Sequence, residues 1–102
     1  MAYLIIRHRV KDFLKWKPIY DAHGSVTKKA GCRNEQLFRS SENPKDLVLL
    51  FELNSIDNAR DFSQSSELKK AMCAAGVVGT PEFEFLEELE RKVTGEGLKK
   101  VA

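Results

Sequence analysis

Long apolar runs are missing from this chain. The strongest, Leu47 to Phe51, falls far short of the roughly 20 residues that carry a helix across a bilayer, so no membrane span is expected. An excess of one charge is missing too: 17 Lys and Arg stand against 15 Asp and Glu, a formal net charge of +2, with the signs interleaved. No field is set up that would draw in nucleic acid or anionic lipid. Cysteine is scarce. Cys32 and Cys73 lie far apart and form no CxxC or Cys/His spacing, so they are expected to be reduced thiols and small core residues, not a disulfide framework or a metal site. The opening residues lack a basic stretch followed by an apolar one, and a cytoplasmic location is the expectation.

What the chain does have suffices for one core. Its 102 residues, 42% hydrophobic and 31% charged, suit a single globular domain over residues 1–93, with a loose tail at 94–102. Tyr3 to Val10 is β-rich and ends at the polar pair Lys11-Asp12, which predicts a first strand. Asp12 caps a helix that runs toward Gly31. Pro18 and Gly24 weaken it, so a kink, or a break near His23, is expected. Cys32 to Ser41 predicts a second strand, Ser41 to Asp46 a hairpin turn, and Leu47 to Leu53 the third strand. Ser55 and the pair Ser65-Ser66 each open a helical piece, the second ending at Gly76. Val77 to Pro81 reads as a loop because of its glycine and proline. Glu82 to Leu89 reads as a last strand with Phe83, Phe85 and Leu89 on one side.

The order βαββαβ predicts an α+β fold of the ferredoxin-like split type, a four-stranded antiparallel sheet with two helices on one face. A half-solvated sheet should show one polar side. Strand three shows none: Leu47, Leu49, Phe51 and Leu53 alternate with Val48 and Leu50, and strand one likewise opposes Leu4 and Ile6 to Tyr3 and Ile5. No third helix is left to cover the second apolar face. The same sheet from a second copy would cover it, closing a two-fold interface into a dimeric α/β barrel. A homodimer is therefore expected, with Arg7 and Arg9 at its interface paired with Glu52 or Glu84 of either chain.

The first helix carries the candidate site. At about 100° per residue, Phe13, Trp16, Ile19, Tyr20 and Thr27 share a face with His23 near its centre. An imidazole among aromatics must find a hydrogen-bond partner or stay wet. It would serve as a general base or ligand anchor near neutral pH, or as a structural histidine bonded to a backbone carbonyl. Trp16, Tyr20 and Phe62 would line a site for a flat ligand, and they would serve equally as plain core. His8 lies on the strand side shared with Leu4 and Ile6, roughly 10 Å back from the connecting turn at ~3.3 Å per residue, while His23 lies roughly 18 Å back at ~1.5 Å per residue. The two are expected to miss each other, and no metal site is expected. Strand three lacks the basic-aromatic pattern of an RNA-recognition motif. The chain also has no Gly-rich phosphate cradle and no GxSxG elbow.

Several stretches are similar to a known group. Val10-Lys11-Asp12-Phe13 leading to Trp16-Lys17-Pro18 and His23 is the first, followed by Ala30-Gly31-Cys32-Arg33 and Phe38-Arg39-Ser40. Glu52-Leu53-Asn54-Ser55 with Asn58-Ala59-Arg60-Asp61-Phe62 and Gly76-Val77-Val78-Gly79-Thr80-Pro81-Glu82 complete the set. Together they resemble the dimeric α/β-barrel superfamily, and within it the antibiotic-biosynthesis-monooxygenase-like domains, from about Tyr3 to Glu90. That superfamily includes cofactor-independent oxygenases, haem-degrading enzymes, polyketide cyclases and isomerases. Where several of the oxygenases carry a tryptophan after the strand-three glutamate, this chain has Leu53 after Glu52. The haem-degrading members use a strand-one asparagine and a second-helix histidine. Here strand one offers Ile6 and the second helix has no histidine, which argues against haem degradation.

The resemblance implies a cofactor-independent monooxygenase or a cyclase- or isomerase-like enzyme acting on a small aromatic or polyketide-like molecule. His23 would be its base or hydrogen-bond donor, Trp16, Tyr20 and Phe62 would shape the pocket, and no cofactor or metal is expected. The alternative is a non-catalytic ligand-binding or stress-associated homodimer.

Overall fold

The computed structural model describes residues 2–92, so the tail expected at 94–102 lies outside the described residues. Strand β1 (Ala2–Val10) is followed by α1 (Phe13–Ala22) and α2 (Gly24–Lys29), which return the chain to β2 (Cys32–Arg39). A hairpin leads into β3 (Asp46–Leu53). Then α3 (Ile56–Gln64) and α4 (Ser66–Ala74) precede β4 (Val77–Glu87). The sheet order is β2-β3-β1-β4, with every neighbouring pair antiparallel. This is the ferredoxin-like split, with each expected helix realised as a helical pair.

Local chemistry explains the breaks. The Asp12 carboxylate accepts from Leu14 N at 2.9 Å and starts α1, which continues past the exposed Pro18 as far as Ala22. His23 ends α1 and begins α2, where its side chain makes no cap bond, so the break falls at the weak point that Gly24 provides. Ser55 Oγ accepts from Asn58 N at 3.1 Å and Ser65 Oγ accepts from Leu68 N at 3.2 Å, which starts α3 and α4 separately.

The two central strands supply the core. Leu4, Ile6 and Val10 of β1 and Leu47, Phe51 and Leu53 of β3 are almost wholly buried against the helices. Trp16, Phe62 and Leu68 meet them from the helical layer. On the opposite face Tyr3, Ile5, Val48 and Leu50 are half-buried, and Phe38, 47% exposed, stands beside Val48 in register. Arg7 pairs with Glu84 at 2.9 Å within the chain, one of the pairings expected for it, whereas Arg9 takes Asp46 at 2.7 Å.

Three expectations are corrected. Val77 to Pro81 belongs to β4, because its Gly79 (φ +74°) and Pro81 mark a bulge between the pairs Arg7–Glu82 and Arg9–Val78 and leave the strand continuous. Leu89 lies beyond the end of β4 and is 95% exposed, so it does not share the face of Phe83 and Phe85. Cys73 is exposed on α4, and only Cys32 is partly buried against the core.

Gly31 holds the turn from α2 into β2 at φ +91°, and its carbonyl accepts from Asn54 N at 3.1 Å at the end of β3. A Cβ there would meet Asn58 Nδ2 at 2.7 Å. Gly31→Ala is therefore expected to lose about 1–3 kcal/mol in urea denaturation. Adding Asn58→Ala should restore only the steric part, because the left-handed backbone penalty stays.

Candidate functional site

Between the helical layer and the sheet lies a cavity of about 40 Å³ whose wall includes Trp16, Tyr20, His23 and Phe62, the four residues singled out from sequence. The helical period turns the first three inward from α1 and its end, and α3 contributes the ring of Phe62. Trp16 is the centre of a stack: Tyr20 lies parallel to it at 4.9 Å, Phe13 stands at 5.8 Å, and His8 meets it edge-on at 5.7 Å. At the other end His23 faces Phe62 at 6.5 Å, and Phe62 packs edge-on to Phe51 at 5.3 Å.

His8, set aside in the sequence because it was expected to miss His23, borders the same cavity. The wall includes both histidines together with the Trp16–Tyr20 stack. The inward parity His8 shares with Leu4, Ile6 and Val10 was the signal available in the sequence. Among the described residues no group of three His, Cys, Asp or Glu side chains stands at metal-ligand spacing.

Glu35 on β2 is a second residue that sequence reasoning missed. It accepts from the Tyr20 hydroxyl at 3.0 Å, and its other oxygen lies 3.1 Å from Thr27 Oγ1, which is also 2.9 Å from the carbonyl of Gly24. One carboxylate thus ties α1 and α2 to the sheet across the break at His23. An edge-strand glutamate in a polar run carries no sequence mark of this task.

The polar groups around the cavity differ in what protons they can move. Burial, then the Glu35 carboxylate, raises the Tyr20 phenol well above its ordinary value. Outside the cavity wall, burial, again followed by Glu35, pushes the Cys32 thiol up to about 11. Neither ionises near neutral pH. The Nε2 of His23 is buried without a hydrogen-bond partner among the described residues, and so are both ring nitrogens of His8. The carbonyl bond expected of a structural histidine is not made at His23 Nε2.

The fold recurs in solved structures. A candidate antibiotic biosynthesis monooxygenase from Bordetella bronchiseptica superposes with a TM-score of 0.73 at 19% identity, over 87% of this chain and 97% of that one. SnoaB, a cofactor-independent oxygenase from Streptomyces nogalater, gives a TM-score of 0.71 at 13% identity, over 88% of this chain and 94% of that one. Rv0793 from Mycobacterium tuberculosis gives 0.67 at 18% identity, over 90% and 98%. The chain therefore has the fold of the antibiotic-biosynthesis-monooxygenase-like proteins. No protein-family model matches the chain, and no curated protein matches it in sequence.

Burial holds the His8 imidazole well below its ordinary pKa of 6.5, at about 4. A histidine with a folded pKa below its unfolded one binds its proton in the unfolded chain first, so above pH 6.5 its titration costs the fold nothing. The fold loses stability as pH falls from 6.5 toward 4. Glu52, through bonds from Asn34 and Tyr3, and Asp46, through Arg9, are held below their ordinary carboxylate values, so their contributions are lost only at lower pH. Unfolding free energy measured between pH 6.5 and 4.5 should fall with a slope of up to about 1.4 kcal/mol per pH unit, and His8→Leu should flatten it.

Proposed function

We propose that the protein is a homodimeric enzyme of the cofactor-independent oxygenase type, acting in the cytoplasm on a small aromatic or polyketide-like molecule held beside His23. The observation that carries this reading is the buried, unpartnered Nε2 of His23 on an apolar wall of stacked aromatics. The shared fold with SnoaB, itself a cofactor-independent oxygenase, supports it.

In this reading His23 Nε2 takes a proton from an activated C–H or O–H of the substrate. The resulting carbanion passes one electron to dioxygen, and the radical pair joins as a C–O–O⁻ peroxide. Uptake of the proton and loss of water then leave a ketone, so that one oxygen atom enters the product and the other leaves in water. The chain's own contribution is a dry wall and a base; neighbouring hydrocarbon keeps water from quenching the carbanion. At about 40 Å³ the cavity holds water-sized guests at about 10–15 Å³ each, whereas an engineered cavity of about 150 Å³ binds benzene. Substrate must therefore part the walls. The uncapped joint at His23 and the open space around Gly24 are where α1 and α2 can separate. The same narrowness favours the second reading, a non-catalytic ligand-binding or stress-associated homodimer.

The dimer in this proposal rests on the half-buried band of Tyr3, Ile5, Val48 and Leu50, rimmed by the Arg7–Glu84 and Arg9–Asp46 pairs. Light scattering should give twice the 11.6 kDa of one chain. Leu50→Asp should give the monomer, because a two-fold interface would bury two unpaired carboxylates. Activity is tested with an oxygen electrode against a panel of quinols and polyketide-like phenols. The unsubstituted protein should consume oxygen with one of them, and His23→Ala should lower the rate about 10²–10⁴-fold with the fold intact. No oxygen uptake with any panel member, together with ligand-induced stabilisation, would select the non-catalytic reading.

A further inference from the structure

We propose that His8 is a ligand-binding residue of this cavity and that it makes the site select uncharged ligands bearing a hydrogen-bonding group. The inference rests on the reading of the cavity as a ligand site and adds a second anchor to it.

Two observations carry it. The first is that His8 is only 7% exposed, and neither of its ring nitrogens has a hydrogen-bond partner among the described residues. A neutral imidazole carries one donor and one acceptor, so two polar functions are buried unmet on the sheet side of the wall, beside Ile6, Leu49 and Phe51. A leucine in that place would leave nothing unsatisfied. The imidazole therefore costs folding free energy, which is what a group kept for binding does. The backbone marks the same spot. On the β4 side, Arg7 pairs with Glu82 and Arg9 with Val78, so Gly79 to Pro81 bulge out opposite His8. Bulges of this kind re-aim strand side chains and cluster beside functional sites.

The second observation concerns charge. Among the described residues, the cavity wall includes no Asp, Glu, Lys or Arg. Tyr20 and Thr27 also border it, but their hydroxyls are engaged by Glu35 and, for Thr27, by the Gly24 carbonyl. Among the bordering residues, the buried side-chain polar atoms without a partner are the two nitrogens of His8 on the sheet and Nε2 of His23 on the helical layer. A carboxylate brought into this space would find no Lys or Arg on the wall, and an ammonium would meet no carboxylate on it, because the oxygens of Glu35 behind it already accept from Tyr20 and Thr27. Burial keeps His8 neutral at pH 7, so it offers a hydrogen bond and no compensating cation. A phenol, an enol or a ketone meets both demands.

Matched probes of one ring size test this: phenol, benzoate, benzylammonium and toluene, titrated into the full-length protein. The single tryptophan of the chain, Trp16, lies on the cavity wall, and its fluorescence reports occupancy. Phenol should bind at least tenfold more tightly than benzoate or benzylammonium. His8→Leu should raise the melting temperature, weaken phenol at least tenfold and leave toluene as strong or stronger. In the unsubstituted protein, phenol should also shift a ring-nitrogen resonance of His8, a readout that stands even if the variant does not fold. Equal phenol affinity in the two proteins, benzoate binding as tightly as phenol, or a lowered melting temperature for His8→Leu would overturn the proposal. So would phenol binding that leaves the His8 nitrogens unmoved. If phenol binding or oxygen uptake is lost in His23→Ala yet unchanged in His8→Leu, this inference falls and the enzymatic reading stands. If no probe perturbs Trp16 in any variant, both fall.

Discussion

Leu4 stands opposite Phe51, Ile6 opposite Leu49 and His8 opposite Leu47, and this pairing of β1 with β3 lays six inward side chains on one floor. A slip of one residue would turn that whole set outward and expose it. Further backbone bonds tie down one end of each strand. Val10 N reaches Lys45 O at 2.9 Å in the hairpin, and Asn54 N reaches Gly31 O at 3.1 Å after α2. The helices close over a floor already set, and the cavity is the space that Trp16, Phe62 and Leu68 leave above it.

The roof of the cavity is less uniform than its floor. Two short helices stand where one long one would have sealed the space, because His23 lies between them as the C-cap of one and the N-cap of the next. Glu35 compensates from the edge strand, holding Tyr20 on α1 and Thr27 on α2. The joint that bears the candidate base is thus tethered on both sides while its own backbone is weakly capped. In the proposed enzyme, access for a ligand and placement of the base would depend on the same few residues.

The outer face of the sheet follows a different logic. Its charged pairs are exposed, with Arg7 and Glu84 at 46% and 50%, and pairs of this kind contribute little to stability in water. Their effect is geometric. They hold Arg7 and Arg9 beside β4 and β3 and leave Ile5, Val48, Leu50 and Phe38 as an apolar centre with a polar rim, the face on which the proposed dimer rests. Tyr3 extends the rim, bonding Glu52 at 3.0 Å while Glu52 also accepts from Asn34.

Most of the fold was legible along the chain because its causes are local. Alternation in Leu47 to Leu53, the caps at Asp12, Ser55 and Ser65, and the stop at Gly31 each act within a few residues, and strand order follows from them. The inward face of the first helix was legible for the same reason, which is how Trp16, Tyr20 and His23 were found. The β4 bulge was misread because glycine and proline signal both a loop and an irregular strand, and only the pairing with β1 tells them apart. His8 and Glu35 were hidden for a deeper reason. Their roles arise from groups far away in sequence, a cavity shared with α1 and hydroxyls on two helices, and no periodicity within β1 or β2 encodes a partner on another element. The sequence by itself determined which faces turn inward; the tertiary structure decided what those faces enclose, because a cavity is a property of the gap between elements and of none of them alone.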